Sequence, residues 1–160
     1  ADEIGLTGLW FEGQKYFALY LDQEHEEKEV PVLEQTKKWL DVYFSGREPD
    51  FAVPFHFIGT DFQNQVWEIL AAIPYGQTTT YGEIAKQLAA KRGLKRMSAQ
   101  AVGGAVGHNE ISILVPCHRV VGTNGSLTGY AGGIDKKVAL LKLEGAYKEE
   151  YFVPKHSTAP

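Results

Sequence analysis

The alternation of apolar and polar residues in the first third of the chain predicts two strands followed by a helix. Apolar residues over 6–11 and 16–21 flank a short glycine-containing turn, Glu12-Gly13-Gln14, which is typical of a β-hairpin. An acidic stretch without apolar periodicity follows, and Pro31 then suits the first turn of a helix. The apolar face of that helix comprises five residues, Leu33, Trp39, Leu40, Tyr43 and Phe44. We therefore expect a small α/β unit, an antiparallel sheet plus a helix, over residues 1–57.

The remainder of the chain has the pattern of short helices separated by glycine-rich turns. Two segments, Thr60–Gln63 and Thr80–Glu83, match capping boxes, and Ser98 can cap a third helix. The later elements are a short apolar strand, a turn and a final helix, over Ile111–Val115, Thr123–Gly125 and Ile134–Leu143. The closely spaced short helices resemble a helix-turn-helix. Their small residues also suit tight packing in any helical domain, so the pattern alone leaves both interpretations open.

The composition excludes several classes of protein. A chain of 160 residues with 44% hydrophobic and 22% charged residues lies in the globular range, so it is not intrinsically disordered. No apolar run approaches the roughly 18 residues that a membrane span needs. The single cysteine rules out an intramolecular disulfide and a cysteine-rich zinc site. We expect a reducing, cytoplasmic compartment and no association with a membrane.

The net charge of −4 conceals an uneven distribution. Residues 1–57 hold twelve acidic and five basic residues, whereas residues 58–160 hold eleven basic and eight acidic residues. Within residues 86–119, six basic residues face a single acidic residue, Glu110. A phosphate backbone responds to such a local positive face and not to the sum over the chain. The alternative interpretation is a solvated basic loop.

The surroundings of Cys117 suggest a reactive thiol. His118 and Arg119 follow it directly, and positive neighbours lower the pKa of a thiol. Pro116 cannot donate to a strand ladder, so we expect the preceding strand to end there and Cys117 to project into a loop. The glycine-rich stretch 122–133 supplies backbone that can approach a ligand closely. A buried structural cysteine is the alternative.

Three ordered motifs carry a resemblance to a known family. They are Pro116-Cys117-His118-Arg119-Val120, Gly129-Tyr130-Ala131-Gly132-Gly133 and Leu143-Glu144-Gly145. Together they resemble the O6-alkylguanine-DNA alkyltransferases, also called methylated-DNA–protein-cysteine methyltransferases, over about Thr60 to Gly145. The resemblance implies an α+β protein in which residues 1–57 support a mainly helical, winged-helix-like domain of residues 58–160. It also implies repair of DNA by direct, irreversible, single-turnover alkyl transfer.

The resemblance assigns a catalytic role to four residues. Cys117 would accept the alkyl group from guanine O6, and possible substrates extend to O4-alkylthymine. His118 would act as a base through a water molecule, while Glu144 would orient and stabilise the imidazolium. Tyr81 would give a proton to guanine N3. Spacing alone favours Glu144 as a solvated residue at a helix end, and it allows Tyr81 to be an ordinary core tyrosine.

The resemblance also implies a pocket for the alkylated base. The carbonyl groups of Cys117 and Val120 would bind the exocyclic amine, and the backbone N–H of Ala131 would face O6. Tyr130 would form part of the wall. The side chain of Asn109 would tie together the turn before the active-site strand, although without the resemblance Asn109 is a plain helix C-cap residue.

A base inside a duplex must flip out to reach a buried thiol. In the family a helix-turn-helix enters the minor groove, and here its recognition helix would be Ser98–Gly107. Most relatives carry an arginine where this chain has Gln100, so we expect weaker stabilisation of the flipped base or compensation by Arg96. His108 and Arg119 complete the predicted DNA-binding residues.

These inferences predict double-stranded DNA as partner, a monomeric protein, no cofactor and no metal. Two other functions remain open on the sequence alone. A non-catalytic protein that flags alkylated bases would lack the acceptor cysteine. A cysteine hydrolase would need an oxyanion hole and multiple turnovers, and only a cysteine and a histidine support it.

Overall fold

The computed structural model describes residues 1–19 and 21–154 of the protein. Tyr20, in the second predicted strand, and residues 155–160, at the end of the predicted second domain, lie outside the described residues. Within that part of the chain, five α-helices and one two-stranded parallel sheet form an α+β fold, which confirms the predicted class. None of the described helices is long and apolar enough to cross a membrane.

The elements follow each other in a simple order. They are α1 (Pro31–Phe44), α2 (Asp61–Ala71), β1 (Thr79–Thr80), α3 (Tyr81–Arg92), α4 (Ala99–Gly107), a 3-10 helix (Cys117–Arg119), β2 (Val120–Val121) and α5 (Ile134–Leu143). The bounds of α5 and the positions of the other four helices agree with the sequence pattern.

Side-chain caps fix the beginnings of three helices. The Thr60 hydroxyl accepts from the Gln63 backbone N–H while the Gln63 side chain accepts from the Thr60 N–H, a complete capping box. Thr80 caps α3, and Ser98 caps α4 through the N–H of Ala101 at 3.2 Å. Because these signals are local in sequence, the pattern of residues is enough to identify them.

The predicted antiparallel hairpin in residues 6–21 is wrong. A turn with Gly13 at positive φ does form, but the chain after it continues as successive turns. The N–H groups of Phe17, Leu19 and Leu21 donate to carbonyl groups three residues earlier. Backbone groups used in this way cannot form a ladder. The apolar residues before the turn instead make isolated parallel bridges with distant segments, Leu6 with Phe55 and Leu9 with Ile111.

The predicted strand Ile111–Val115 is also absent. Ile113 has φ of +69°, which is not extended backbone, and the Val115 N–H donates to Ile111 within the segment. The whole segment is buried, as the apolar run indicates. Cys117 begins the 3-10 helix and does not lie in an open loop.

One hydrophobic core extends across the boundary predicted between residues 57 and 58. Leu6, Tyr43 and Val53 belong to the same buried cluster as residues of α2, α3 and α4. The indole N–H of Trp67 on α2 donates to the Ala105 carbonyl of α4 at 2.9 Å. The register of the sheet pairs Thr79 with Val120 and Thr80 with Val121, so the start of α3 lies beside the cysteine segment.

Candidate active site

Cys117 lies in a buried position at the start of the 3-10 helix. Only 6% of the residue is exposed, and its Sγ accepts a hydrogen bond from Asn109 Nδ2 at 3.3 Å. Pro116 precedes it with φ of −83° and ψ of 64°, and the tight turn that follows carries His118 and Arg119 on the same short helix. The thiol is therefore held in place by the residues around it.

Asn109 holds the turn that leads to the cysteine. Its Nδ2 also donates to the carbonyl groups of Ile111 and Val115, at 3.1 and 2.9 Å, and its Oδ1 accepts from the Ile111 N–H at 3.0 Å. This side chain thus satisfies backbone groups of a buried segment that forms no regular ladder. The C-cap of α4 is His108, so Asn109 is not the plain C-cap residue that the sequence alone allows.

The carboxylate of Glu144 accepts hydrogen bonds from four donors. Its Oε2 accepts from His118 Nε2 and from the Tyr43 hydroxyl, each at 2.5 Å. Its Oε1 accepts from Arg119 Nε at 2.7 Å and from the Gly76 N–H at 3.2 Å. The donors come from three separate segments of the chain. Glu144 is therefore a buried residue that connects these three segments through hydrogen bonds. It is not the solvated helix-end residue that its spacing allows.

The histidine is placed to accept a proton. With Nε2 donating to Glu144, the neutral imidazole has its lone pair on Nδ1, which is buried and has no hydrogen-bond partner among the described residues. Burial lowers the pKa of His118, although Glu144 acts in the opposite direction. Burial also acts to raise the pKa of Glu144, but the hydrogen bonds from His118 and Arg119 outweigh it and lower that pKa to about 2. A neutral imidazole beside a permanently ionised carboxylate is a suitable base.

The expectation that the side chains of His118 and Arg119 lower the pKa of the thiol is wrong, because both bind Glu144. The backbone of His118 does act to lower that pKa, but burial outweighs it. Burial raises the pKa of Cys117 above its ordinary value. The hydrogen bond from Asn109 and the charge of Lys137 act in the opposite direction. The resting pair is consequently a neutral thiol and a neutral imidazole, and ionisation requires transfer of a proton between them.

Lys137 is a functional candidate that the sequence interpretation missed. Its side chain is fully buried, and Nζ donates to the carbonyl groups of Val120 at 2.6 Å and Thr128 at 2.9 Å. Burial lowers the pKa of Lys137 to about 8. The helical period provided a signal, since Lys137 shares one face of α5 with Leu140, Leu141 and the following Glu144.

Two tyrosines lie near the thiol. The Tyr81 hydroxyl donates to the Thr128 carbonyl at 3.1 Å, and burial raises the pKa of Tyr81, so that it stays protonated as a donor. Tyr130 is buried, its ring forms a T-shaped pair with that of Phe11, and its hydroxyl has no partner among the described residues. The Ala131 carbonyl accepts from the Lys15 N–H at 3.1 Å, which attaches the glycine-rich loop to the N-terminal segment.

The residues predicted to contact DNA divide into two groups. Arg96, Ser98 and Gln100 are exposed at the beginning of α4. His108 ends α4, where Nδ1 contacts the Gly104 carbonyl at 2.7 Å and the ring stacks on Tyr16. An added Cβ at Gly104 would meet no atom within 4 Å, so this face of α4 is open.

Arg119 does not belong with these surface residues. It is 6% exposed, and Nη1 donates to the Ile73 carbonyl at 2.7 Å while Nε binds Glu144. Its prediction as a DNA contact is therefore wrong, because the local motif does not reveal that the side chain turns inward. No group of three His, Cys, Asp or Glu side chains suited to a metal occurs in residues 1–19 and 21–154.

Two family profiles match the chain. The profile described as 6-O-methylguanine DNA methyltransferase, DNA binding domain, matches residues 61–146. The profile described as 6-O-methylguanine DNA methyltransferase, ribonuclease-like domain, matches residues 1–57.

Individual relatives agree with the profiles. A methylated-DNA–protein-cysteine methyltransferase of Mycobacterium tuberculosis is 54% identical over 105 residues, 66% of this chain and 61% of the relative. The match thus spans less than two thirds of that relative's length. A protein of the same name from Methanosarcina acetivorans is 49% identical over 144 residues, 90% of this chain and 79% of the relative.

Solved structures give the same result. Mycobacterium tuberculosis OGT in complex with DNA superposes with a TM-score of 0.76 and 43% identity, covering 91% of this chain and 84% of that one. An O6-methylguanine DNA methyltransferase of Methanococcus jannaschii superposes with a TM-score of 0.58 and 29% identity over 98% of each chain. The chain belongs to the 6-O-methylguanine DNA methyltransferase family.

Proposed function

We propose that this protein repairs O6-alkylguanine in DNA by moving the alkyl group irreversibly to Cys117, with O4-alkylthymine as a candidate second substrate. The observation that carries the proposal is the single buried cysteine beside a His118–Glu144 pair at 2.5 Å. The name that the relatives share, methylated-DNA–protein-cysteine methyltransferase, supports it.

The residues suggest a balanced sequence of bond changes. Cys117 gives its proton through a water molecule to Nδ1 of His118, and Glu144 stabilises the resulting imidazolium. The thiolate forms a bond to the alkyl carbon as the bond from that carbon to guanine O6 breaks. The electron pair leaves with the guanine, and a proton from Tyr81 at N3 neutralises the developing charge. The proton that His118 took from the thiol then passes through water to the Tyr81 oxygen, which restores both side chains to their neutral forms. The thioether is stable, so each molecule reacts once without a cofactor or a metal.

The base pocket would be formed by the segments around the thiol. In our proposal the Ala131 N–H faces O6, Tyr130 is a wall, and the Cys117 and Val120 carbonyls bind the exocyclic amine. The Val120 carbonyl also accepts from Lys137 Nζ. A carbonyl oxygen has two lone pairs, so both contacts are compatible.

We further propose that α3 and α4 act as a helix-turn-helix in the minor groove of double-stranded DNA and that the base flips into the pocket. The beginning of α4 carries exposed Arg96, Ser98 and Gln100, and His108 lies at its end. A Cβ added at Gly103 would lie 3.9 Å from the Tyr81 ring, so α4 passes directly beside the proposed pocket. The similar Mycobacterium tuberculosis structure is a complex with DNA, which supports this part of the proposal.

The proposed organisation comprises residues 1–57 as a support domain and residues 58–160 as a winged-helix-like catalytic domain. The two profile matches support this division. We propose that the protein acts as a monomer in the cytoplasm, where a reducing environment keeps the acceptor thiol free.

The test is incubation with a duplex that contains one O6-methylguanine, followed by measurement of the intact mass of the protein. We expect one added methyl group per molecule, located on Cys117, with no gain for Cys117→Ser or with an unmodified duplex. Binding without a mass gain would show a protein that flags lesions, and repeated turnover would show a hydrolase-like enzyme. Either result overturns the proposal.

A further inference from the structure

Tyr43 brings a hydroxyl group from α1 to the carboxylate of the candidate active site. The residue is fully buried, and its hydroxyl donates to Glu144 Oε2 at 2.5 Å. His118 Nε2 contacts the same oxygen, also at 2.5 Å. The two donors therefore share one acceptor atom, although they lie 75 positions apart in the chain.

The orientation of the Tyr43 ring is fixed by aromatic neighbours. Its ring stacks on Trp39 with centroids 5.2 Å apart and an angle of 12°. Tyr75 and Phe44 contact it edge-on, at 6.1 and 5.4 Å. A ring held in this way presents its hydroxyl in one direction, which is the geometry of a residue that sets the position of another group.

We infer that Tyr43 is a positioning residue for the proposed alkyl transfer, because its hydroxyl competes with His118 for Glu144 Oε2 and so limits how firmly the carboxylate holds the imidazolium. This inference rests on the proposed function. If Tyr43 has this role, residues 1–57 contribute one hydroxyl group to the candidate active site, in addition to the side chains that they contribute to the core. A buried tyrosine that only satisfies its own hydroxyl would leave the titration of His118 unchanged.

The direction in which the pKa of His118 should change follows from the two hydrogen bonds that divide the negative charge of Glu144 Oε2. Without the hydroxyl, more of the negative charge of Oε2 acts on His118, so the imidazolium is stabilised and the pKa of His118 rises. The other charged and titratable groups near the pair are Arg119 on the 3-10 helix, Lys137 on α5, Tyr75 after α2, Tyr130 in the glycine-rich loop, and Cys117 itself. A Tyr43→Phe substitution leaves all of these groups in place.

The experiment measures the titration of His118 by NMR in histidine-labelled protein, together with the pH dependence of the single-turnover methyl-transfer rate. For Tyr43→Phe we expect the His118 midpoint to rise by about 0.5–1 pH unit, since a net hydrogen bond is worth about 1 kcal/mol. The acid limb of the rate profile moves up by the same amount, because His118 must be neutral to accept the proton. The control is Tyr75→Phe, which removes a neighbouring hydroxyl that makes no hydrogen bond to Glu144, and neither quantity should move.

An unchanged His118 midpoint in folded Tyr43→Phe overturns the inference, as does a shifted midpoint with an unmoved acid limb. If Tyr43→Phe does not fold, 3-fluorotyrosine at position 43 retains the shape and is a stronger donor. The His118 midpoint then falls if the inference holds and stays constant if it does not. The NMR titration needs no alkylated DNA, so it tests the role of Tyr43 independently of the reaction. A wild-type protein that transfers no methyl group would contradict the proposed function and would leave the result of the titration intact.

Discussion

Lys137 is a buried cation that acts both on the backbone of the candidate site and on the thiol. Its ammonium group binds the Val120 and Thr128 carbonyl groups, and its charge opposes the rise in the pKa of Cys117 that burial causes. Since burial lowers the pKa of Lys137 only to about 8, the side chain still carries its charge at pH 7. A thiolate at Cys117 would therefore form near the positive charge of Lys137, which is buried.

Replacement of Lys137 by methionine should make Cys117 harder to ionise. Loss of one nearby positive charge raises the pKa of the thiol, and each unit lowers the thiolate fraction at pH 7 about tenfold. We expect the rate of alkylation by iodoacetamide to fall about tenfold at pH 7. Because the chain has one cysteine, the gain in intact mass reports on Cys117 alone.

The matched control is Lys136→Met, which removes the neighbouring charge from a partly exposed position over the Phe11 ring. Its alkylation rate should stay within twofold of the wild type, a change of about 0.4 kcal/mol. Equal rates for Lys137→Met and the wild type would show that the lysine acts on the backbone only.

Single residues were predictable from the sequence where a motif fixed them. The motif identified Cys117, His118 and Glu144 as candidates, and the structure places the last two in contact. It could not show that Arg119 turns inward, since that depends on the remote Ile73 carbonyl and Glu144. Tyr43 was recognised only as part of an apolar helix face, because its hydroxyl meets a partner 101 positions away.

At the scale of the element, α4 combines a small open face with an unusual residue in its first turn. Gln100 is exposed there, two residues after the Ser98 cap, in the position where most relatives are expected to carry arginine. Glutamine can hydrogen-bond an orphan base, but it lacks the charge and the planar fork of a guanidinium group.

Substitution of Gln100 by arginine should therefore favour the flipped state of the base. A charge-assisted hydrogen bond exceeds a neutral one by about 1 kcal/mol, which corresponds to about a fivefold gain in the flipped population. A duplex with a fluorescent base analogue reports the population, and single-turnover methyl transfer reports its consequence. Gln87→Arg, which adds the same charge to an exposed position on α3, serves as the control. No change for Gln100→Arg would mean that the glutamine, or nearby Arg96, already suffices.

The elements themselves were predictable to the extent that their signals are local. Thr60, Thr80 and Ser98 indicate helices because each side chain caps a backbone group three residues later. The hairpin failed because the partners of its first strand are distant: Leu6 pairs with Phe55 and Leu9 with Ile111. Alternating apolar residues indicate burial on one side of a segment without identifying the segment that pairs with it.

At the scale of the whole molecule, the distribution of charge matters more than its sum. The acidic excess lies in residues 1–57, whereas Lys86, Lys91, Arg92, Lys95 and Arg96 are exposed on α3 and on the connection to α4. A duplex would thus meet a local basic surface on a protein whose net charge is −4. Binding to phosphates releases counterions, so the affinity should depend on salt.

The salt dependence of the affinity for DNA can show whether the basic residues on α3 and on the connection to α4 contact the phosphates. For a double variant, Lys95→Gln with Arg96→Gln, we expect the slope of log K against log salt to become less negative by about 1.8, because each phosphate that is no longer neutralised accounts for about 0.9. The control carries Lys38→Gln with Arg47→Gln, two exposed positions in residues 1–57, and changes the net charge equally. Equal slopes for both double variants would show that net charge and not the α3–α4 surface governs binding.

The pairing of the two-residue strands β1 and β2 sets the backbone separation of two residues of the candidate site. β1 leads directly into Tyr81, and β2 begins three residues after Cys117, so their pairing sets the separation of the proposed proton donor and the nucleophile. Side-chain changes at Thr79 or Val121 alter packing while the backbone register, and with it this separation, persists. Insertion of one residue between Cys117 and Val120 would instead displace the thiol relative to the phenol. The chemistry of the pocket thus tolerates variation in residue type around the sheet far better than variation in chain length.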